Sequence, residues 1–444
     1  MAENESSQRP VRKLTIKNFS VIKDAELEFR KITVLIGPQA SGKSLLCKLA
    51  YFLGGEIAAF AVESLLDRNS WSEFLQTVER EFAKRFLTTE TDWLVSRTEV
   101  SFTSHRYVIN MRSAGTLLTP KFEFSFSEDF KNFYGALAKN PAKQLPDANM
   151  SRGELRQNLF AEISLIFNGK RTQSVTYIPS GRSFFSDANA TIVALQNPDI
   201  DPITRRFAGL IAWDSRWKAG YLTTGRNIIQ TIEREMYQIT GGAVSVKDGK
   251  PHFLSEDGRD LPLSVQSSGT LELLPMFNIV DQLACFQEHI YARVTATRIS
   301  PIADISEYNP LVYLEEPEAH IFPKTQYLLI QLFAWLANDP ILDFDWTITT
   351  HSPYILSSFN NLIEAGQAVR NNPNIKDEVA KIIPEQYWIK EGDFKAYAIE
   401  DGNLKSILND SGFVEGNYLD QVSETIGDEF DRLVKLEYDH AKAS

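Results

Sequence analysis

The chain has 444 residues, of which 43% are hydrophobic and 23% charged, so it can bury a large core and is not disordered overall. A net charge of −12 excludes wholesale wrapping by nucleic acid, because phosphate binding depends on Lys and Arg, but it leaves a local basic face open. Two cysteines, Cys47 and Cys285, are too few for a disulfide framework and indicate a reducing compartment. With neither a leader pattern nor a run of about 18 apolar residues, we expect a soluble, cytoplasmic protein without a membrane partner.

The first predicted elements are strands that lead into a phosphate-binding loop. Apolar and polar residues alternate from 11 onwards, and 31–36 form a short buried strand. A helix is predicted over 45–53. Between them stands the sequence Gly37-Pro38-Gln39-Ala40-Ser41-Gly42-Lys43-Ser44, which fits the pattern G-x-x-x-x-G-K-[ST].

Backbone N–H groups and a helix dipole converge at a loop in this position, which suits a triphosphate. We therefore expect all eight residues to bind the nucleotide. In that role Lys43 reaches the β- and γ-phosphates, and the Ser44 hydroxyl ligates Mg²⁺. The alternative is a chance match in a Gly- and Ser-rich loop.

A long middle section is predicted as insertions into this frame. Apolar spacing predicts, in order, helices over 56–86, strands over 92–127, helices over 128–170, a strand at 174–178, helices over 187–240 and a hairpin of 244–246 with 252–254. The strand at 174–178 ends in Pro179-Ser180-Gly181-Arg182. This tetrapeptide is either simple turn chemistry or a position from which Arg182 reaches a phosphate or a neighbouring subunit.

A second anion-binding loop is predicted before the next helix. Ser267, Ser268 and Gly269 precede a helical run at 271–283, so hydroxyl groups and backbone N–H groups meet at a helix start. Alone, the segment is a plain helix cap. Together with the other motifs, we interpret it as the loop that completes a nucleotide site from the opposite protomer.

Two adjacent carboxylates end the next apolar strand, at 311–314. Glu315 and Glu316 follow it directly, where open α/β sheets place their ligands. Glu315 is expected to orient Mg²⁺ through its water shell, and Glu316 to polarise the attacking water. The alternative for Glu-Glu-Pro-Glu is an acidic surface turn.

A histidine ends a further short strand. A helix over 324–336 separates the strand before Glu315 from an apolar-rich strand that ends at His351, which predicts a βαβ unit. A His at that point can hydrogen-bond the γ-phosphate or the water that attacks it. The alternative is a purely structural histidine. The remaining tail is predicted to contain a hairpin of 387–389 with 396–399 and a helix from about 419.

In this order the motifs resemble those of ABC-type ATPases of the SMC, Rad50, RecF and OLD group. The opening residues 14–19 and the loop 36–44 are similar to the start of those proteins, and Glu315-Glu316-Pro317-Glu318-Ala319-His320 with Pro323 is most similar to the OLD branch. The resemblance covers about 11–55 and 260–360. It implies an α/β fold, an ABC-type P-loop ATPase head with an antiparallel β subdomain and helical insertions.

The resemblance also implies a division into five segments and a composite site. The segments are 11–55 (lobe I), 56–170 (helical and β insertion), 171–260 (strand and helical insertion), 261–380 (lobe II) and 381–444 (hairpin and helix). ATP and Mg²⁺ would lie between the Lys43 loop of one subunit and Ser267-Ser268-Gly269 of another, in a head-to-tail dimer or higher oligomer. Glu316 would be the catalytic residue and His351 the switch histidine.

Three departures from the family pattern stand out. The Ser267-Ser268-Gly269 signature is shorter than the usual motif, and Glu315 stands where the family usually has Asp. The glutamine of the Q-loop remains open among Gln144, Gln157 and Gln173.

Two functions follow from the resemblance. Because coiled-coil arms and a C-terminal TOPRIM nuclease pattern are both missing, the chain resembles the ATPase subunit of an anti-phage defence system of the PARIS, Septu or retron-associated kind. It would then hold a separate effector nuclease and respond to a phage-encoded trigger protein. The alternative is a RecF-like repair ATPase that grips DNA. Its supporting basic residues, which we expect instead to form a solvated helical face, are Arg205, Arg206, Arg216, Lys218, Arg226 and Arg234.

Overall fold

The computed structural model describes most of the chain. The described residues are 11–86, 97–104, 107–116, 119–139, 151–168, 175–186, 188–212, 228–247, 250–297, 309–415, 429–430 and 432–433. The predicted mixed α/β class, with an antiparallel part and helical insertions, is confirmed.

The N-terminal elements form as the apolar alternation predicts. They are β1 (Arg12–Phe19), β2 (Ile22–Phe29), β3 (Ile32–Ile36), α1 (Lys43–Tyr51), a π-helical segment (Phe52–Glu56), α2 (Ile57–Leu66) and α3 (Trp71–Phe86). The helical run does not stop at residue 53 as predicted but continues to Leu66. Its π-helical segment contains Gly54 and Gly55, and a Cβ at Gly55 would lie 2.5 Å from Val175, so the glycine lets the helix approach the sheet.

The middle section contains both inserted strands and inserted helices. They are β4 (Glu99–Ser104), β5 (Tyr107–Thr116), β6 (Thr119–Phe126), α4 (Glu128–Lys139), α5 (Arg152–Asn168), β7 (Val175–Ile178), a 3-10 turn (Arg182–Ser186), α6 (Ala188–Gln196), α7 (Pro202–Ala212), α8 (Ile228–Thr240), β8 (Gly242–Lys247), β9 (Lys250–Ser255), β10 (Asp260–Pro262), a 3-10 turn (Leu263–Val265) and α9 (Ser268–Thr297).

The C-terminal part completes the sheet. Its elements are β11 (Leu311–Glu315), α10 (Pro323–Asn338), β12 (Asp345–Thr350), α11 (Pro353–Asn371), α12 (Lys376–Ile382), β13 (Phe394–Glu400) and β14 (Asn403–Ser406), with 3-10 turns at Pro373–Ile375 and Glu385–Tyr387. β11, α10 and β12 form the predicted parallel βαβ unit.

Within the described residues, one sheet of eleven strands has the order β6-β5-β4-β1-β2-β14-β13-β3-β12-β11-β7. The strands β13, β3, β12, β11 and β7 run parallel to one another, whereas β6 to β2 form an antiparallel block. A second sheet has the order β10-β9-β8. The parallel block is the part that positions the candidate site.

The large sheet lies between two apolar layers. Along β11, Val312 and Leu314 join one buried cluster, and the alternate residues Leu311 and Tyr313 join the other. Because successive side chains of a strand point to opposite faces, both faces of β11 are covered. Helices α9 to α11 pack in the cluster that contains Val312 and Leu314, and helices α1 to α3 pack in the cluster that contains Leu311 and Tyr313.

The tail prediction was wrong in its first strand. The hairpin pairs Tyr397 with Ser406 and Glu400 with Asn403, whereas residues 385–387 form a 3-10 turn and Tyr387–Ile389 belong to no strand. Pro384 starts that turn, and the apolar residues 387–389 pack as side chains into the core without pairing. The predicted terminal helix lies largely outside the described residues, and the division into five segments stays a prediction.

In the described part of the chain, one helical run is long and apolar enough by composition to cross a membrane. It is Lys43–Leu66, with a mean hydropathy of 1.6. Because 78% of its apolar window is buried inside the protein, this run packs as a core helix.

Candidate functional site

The candidate site lies at the carboxyl ends of the parallel strands. Ile36, the last residue of β3, pairs with Thr350 at the end of β12, and Thr349 pairs with Glu315 at the end of β11. The loops that follow these strands therefore start side by side. The sheet thus brings together the Gly37–Ser44 loop, Glu315, Glu316 and His351, which are up to 314 positions apart in the sequence.

The phosphate-loop candidate makes a tight turn between β3 and α1. Gly42 has φ of 105°, a left-handed value that favours glycine, and a Cβ there would lie 2.5 Å from Ile22 Cδ1. A Cβ at Gly37 would lie 2.9 Å from the carbonyl oxygen of Ile399 in β13. Both glycines are therefore needed for the loop to pass close to neighbouring chain segments.

Lys43 folds back over this loop. Its Nζ donates to the carbonyl oxygens of Gly37 at 2.8 Å and Pro38 at 2.7 Å. Burial lowers the pKa of Lys43, and the negative charges of Glu316, Glu318 and Glu315 oppose that effect. The ammonium group therefore faces three carboxylates across the strand ends, where a phosphate would need a cation.

Glu315 is buried and held by the neighbouring strand β7. Its Oε1 accepts a hydrogen bond from the Tyr177 hydroxyl at 2.6 Å, and its Oε2 accepts one from the Ser180 N–H at 3.0 Å. Burial, with a further contribution from Glu315, raises the pKa of Tyr177, so the phenol stays a donor. Sequence reasoning missed Tyr177, although it sits on a strand that the sequence does predict.

Glu316 and His351 face each other across the two loops. His351 Nε2 lies 3.5 Å from Glu316 Oε1, and both side chains are about one-third exposed, at 30% and 35%. Glu316 has φ of 41°, which is unusual for a residue with a Cβ and costs about 1–3 kcal/mol. Strain of this kind concentrates at functional positions, and here it turns the carboxylate out of the strand towards His351.

Arg182 does not point at a phosphate. Its side chain is fully buried and donates to the carbonyl oxygens of Glu315 at 2.8 Å and Glu316 at 3.1 Å. It also donates to the carbonyl oxygens of Pro179 and Glu272. Ser180 and Gly181 do form a turn, with Gly181 at a φ of 67°, as the simpler interpretation predicts, but neither interpretation gives Arg182 its internal role.

Glu318 lies in the loop that follows Glu316, and the sequence pattern gave it no role of its own. Its Oε1 accepts hydrogen bonds from the His351 N–H at 2.6 Å and from Thr350 Oγ1 at 2.8 Å, whereas its buried Oε2 has no hydrogen-bond partner in the described part of the chain. The carboxylate therefore fixes the end of β12, from which His351 projects.

The Ser267-Ser268-Gly269 segment begins α9. Ser267 Oγ accepts a hydrogen bond from the Thr270 N–H at 3.2 Å, so this residue caps the helix, as the simpler interpretation has it. Ser268 is exposed, and a Cβ at Gly269 would lie 2.7 Å from the carbonyl oxygen of His320. The segment thus packs against the loop that follows Glu316, and its role towards a second subunit stays a prediction.

The residues at the strand ends fit a magnesium nucleotide. Ser41 Oγ in the loop is buried and has no hydrogen-bond partner among the described residues, and Lys43 is the cation that a phosphate would meet. Ser44, in the first turn of α1, and Glu315 offer the oxygen atoms that Mg²⁺ prefers. Both Glu315 oxygens already accept hydrogen bonds, which favours contact through the metal's water shell over direct ligation.

The predicted basic face is only partly described. Arg205 donates to the carbonyl oxygens of Pro198 and Ile200, and Arg206 lies 3.8 Å from the buried Glu56. Arg234 pairs with Glu235 at 3.4 Å. These three side chains are therefore engaged with their own chain. The other three members, Arg216, Lys218 and Arg226, lie outside the described residues, as do the glutamine candidates Gln144 and Gln173. Gln157 lies on α5.

Residues 197–356 match a family model described as "AAA ATPase domain". The match spans Ser267–Gly269, Glu315, Glu316 and His351, and it leaves the Gly37–Ser44 loop outside. This segment, which is less than half of the chain, is therefore similar to an ATPase domain, in agreement with the predicted ATPase activity. A comparison with curated protein sequences gives no match.

Solved structures whose chains follow a similar path include two head domains of SMC proteins and one ATP-binding cassette of an ABC transporter. The SMC head domain from Thermotoga maritima has a TM-score of 0.35 and 9% identity, over 90% of this chain and 98% of that one. The Smc head domain from Pyrococcus furiosus, bound to the C-terminal domain of ScpA, has a TM-score of 0.35 and 11% identity, over 90% and 96%. The ABC-transporter cassette MJ1267, in its ADP conformation, has a TM-score of 0.33 and 10% identity, over 94% and 98%. Similarity this low carries no inference about function.

Proposed function

We propose that the chain is an ABC-type ATPase that binds ATP with Mg²⁺ and hydrolyses it to ADP and phosphate in an assembly of at least two copies. The observation that supports this most is the meeting of Lys43, Glu316 and His351 at the ends of three parallel strands. A cation can hold the phosphates, a carboxylate can polarise the attacking water, and a histidine beside that carboxylate can hydrogen-bond the γ-phosphate or the water, so the three groups together suit phosphoryl transfer.

Self-association follows from the chemistry of the Ser267-Ser268-Gly269 segment. It packs against the loop after Glu316, and its exposed Ser268 and helix N-terminus suit the phosphates of a nucleotide bound by a second copy. Hydrolysis would then require assembly.

The test is a turnover assay on the purified chain with ATP and Mg²⁺, alongside Glu316→Gln. We expect the variant to bind ATP as the wild type does and to lose nearly all phosphate release, by about 10²-fold or more. Glu256→Gln, on the exposed turn between β9 and β10, is the matched control and keeps full turnover. Unchanged hydrolysis in Glu316→Gln protein would sink the assignment of this residue.

In the cell, we propose that the ATPase acts as a sensor and scaffold in anti-phage defence, holding a separate effector nuclease that a phage-encoded trigger protein releases. This rests on the motif resemblance. Bacteria that carry the chain with its neighbouring genes should resist phage, and Glu316→Gln should abolish the protection. Sensitivity equal to that of cells without these genes would contradict the proposal.

The second candidate, a RecF-like repair ATPase, predicts tight duplex DNA binding with a steep salt dependence. Reversal of Arg205 and Arg206 to Glu would then abolish that binding. Since Arg205 and Arg206 contact their own chain, we favour the first candidate.

A further inference from the structure

Arg182 connects two parts of the candidate site that lie far apart in the sequence. Its guanidinium group donates to the carbonyl oxygens of Glu315 and Glu316, and its Nε donates to the carbonyl oxygen of Glu272 at 3.1 Å. Glu272 lies in α9, one turn after Ser268. One side chain therefore contacts the start of the signature helix and the peptide of the catalytic candidate.

The contact is charged on both sides and excludes water. Arg182 Nε lies 3.6 Å from Glu272 Oε2, with side-chain exposures of 0% and 2%. The other carboxylate oxygen, Glu272 Oε1, accepts a hydrogen bond from Ser183 Oγ at 2.5 Å. A buried Arg with this many partners is fixed in position, because losing any partner leaves a donor unsatisfied in the interior.

Hydrogen bonds hold the peptide of Glu316 on both sides, and its N–H also donates to Thr349 Oγ1 at 3.3 Å. Its N–H donates to the Thr349 carbonyl oxygen at 2.9 Å, and its carbonyl oxygen accepts from Arg182 and from the Ala319 N–H at 3.1 Å. The backbone is held there at its unusual φ of 41°. A displacement of the first turns of α9 would reach this peptide through Glu272 and Arg182.

We propose that Arg182 is a positioning residue that couples the two nucleotide sites of an assembled pair. The Ser267-Ser268-Gly269 segment contacts the nucleotide of one site, and through Glu272 and Arg182 it sets the position of Glu316 in the other. The proposal rests on the proposed function, since it needs a second copy that shares the site. It predicts that hydrolysis is cooperative in ATP and that this cooperativity depends on Arg182.

The experiment measures turnover against ATP concentration, ATP affinity and thermal unfolding for Arg182→Lys, Glu272→Gln and the double variant. Lys keeps the charge but cannot donate to all the carbonyl oxygens that Arg182 reaches. We expect kcat to fall about 10- to 100-fold, ATP affinity to stay within about twofold, and the Hill coefficient to fall towards 1. Glu272→Gln keeps the acceptor for Ser183 and should show the same pattern, with losses in the double variant less than multiplicative.

Arg12→Lys is the matched control. Arg12 is also buried and pairs with Asp345 at 2.9 Å, but Asp345 is the first residue of β12, at the opposite end from His351. The Arg12→Lys substitution should lower the unfolding temperature without changing kcat or the Hill coefficient.

The outcomes separate the two proposals. Wild-type protein without turnover contradicts the proposed function and this inference together. Turnover that depends on Glu316, with kcat and Hill coefficient in Arg182→Lys within twofold of wild type, overturns the inference alone. If Arg182→Lys does not fold, Glu272→Gln decides by the same criteria. A kcat loss that Arg12→Lys reproduces at equal destabilisation also overturns the inference.

Discussion

Glu318 holds His351 through the backbone and not through the ring. Glu318 Oε1 accepts a hydrogen bond from the His351 N–H at 2.6 Å, while the other carboxylate oxygen is buried and finds no hydrogen-bond partner within the ranges that the structure describes. Burial raises the pKa of Glu318, and the hydrogen bonds from His351 and Thr350 only partly offset this. The residue that orients the switch candidate is thus poorly stabilised as an anion.

This arrangement makes the stability of the protein depend on pH in a defined direction. In the unfolded chain Glu318 ionises near its ordinary pKa of about 4.3, whereas in the folded protein it resists ionisation. The folded state therefore binds more protons between those two pKa values, and Glu318 lowers stability as the pH rises through that window. The Gln side chain of Glu318→Gln does not ionise. We therefore expect the unfolding temperature of the variant minus that of the wild type to increase from pH 4.5 to pH 8. Thermal melts across this range, with Glu256→Gln as the exposed control, check the prediction. A difference that is constant or shrinks with pH would count against it.

Lys43→Ala should abolish nucleotide binding. The ammonium group lies on the Gly37 and Pro38 carbonyl oxygens and is the cation nearest the loop in the described contacts. Removing a charge-assisted contact to phosphate costs at least about tenfold in affinity. Titration with a fluorescent ATP analogue measures the nucleotide affinity of the variant and of the wild type. Lys48→Ala is the control, because Lys48 lies in the same helix and pairs with Asp201; equal losses in both variants would refute a specific role for Lys43.

His351→Ala should slow hydrolysis and leave binding intact. Because His351 lies 3.5 Å from Glu316 and is partly exposed, it can contact the reacting groups of a bound nucleotide. We expect kcat to fall by about 10²-fold or more with little change in ATP affinity. His252→Ala is the comparison, as His252 pairs with Asp260 on the separate three-stranded sheet and should be silent. Full activity in His351→Ala protein would return this residue to a structural role.

Gly269→Ala should displace the start of α9. The added Cβ would lie 2.7 Å from the His320 carbonyl oxygen, which is backbone and cannot easily move. We expect a loss of about 1–3 kcal/mol in the free energy of unfolding and reduced turnover. At Gly135, inside α4, an added Cβ would meet no described atom within 4 Å apart from its chain neighbours and the backbone of its own helix, so Gly135→Ala should instead raise stability by about 0.5–1 kcal/mol. Denaturant unfolding of both variants tests the contrast, and a stable Gly269→Ala protein would show that the loop can give way.

The strand ends of the site were predictable because their signal is local. The Gly37–Ser44 loop, Glu315 and Glu316, and His351 each follow a short apolar run and precede a helix signal, so spacing alone placed them at one edge of a parallel sheet. The roles of Arg182 and Glu318 were not predictable in the same way. Arg182 reaches residues 90 and 133 positions away, and nothing in its neighbours reveals such a contact.

The fold of the C-terminal tail was also hard to predict from local sequence. β14 has the sequence Asn-Leu-Lys-Ser, too polar for a strand signal, and its position follows from pairing with β13. The aromatic residues 387 and 388 gave a strand-like sequence pattern, but in the structure their side chains pack into the core beside a 3-10 turn. Tertiary packing decided both cases.

The position of β13 has a consequence for biosynthesis. Its residue Ala398 pairs with Ile36, and a Cβ at Gly37 would lie 2.9 Å from the Ile399 carbonyl oxygen. The strand that supports the phosphate loop therefore begins 350 residues after the loop ends, at 394 against 44. Contacts this distant in sequence slow folding, because the chain must close a long loop before it gains them. During translation the loop emerges early, whereas both strands that pair with β3 follow much later, β12 from residue 345 and β13 from residue 394. We expect nascent chains that stop before β13 to expose the edge of β3, a segment prone to pairing with other chains, and to depend on chaperones until synthesis passes residue 400.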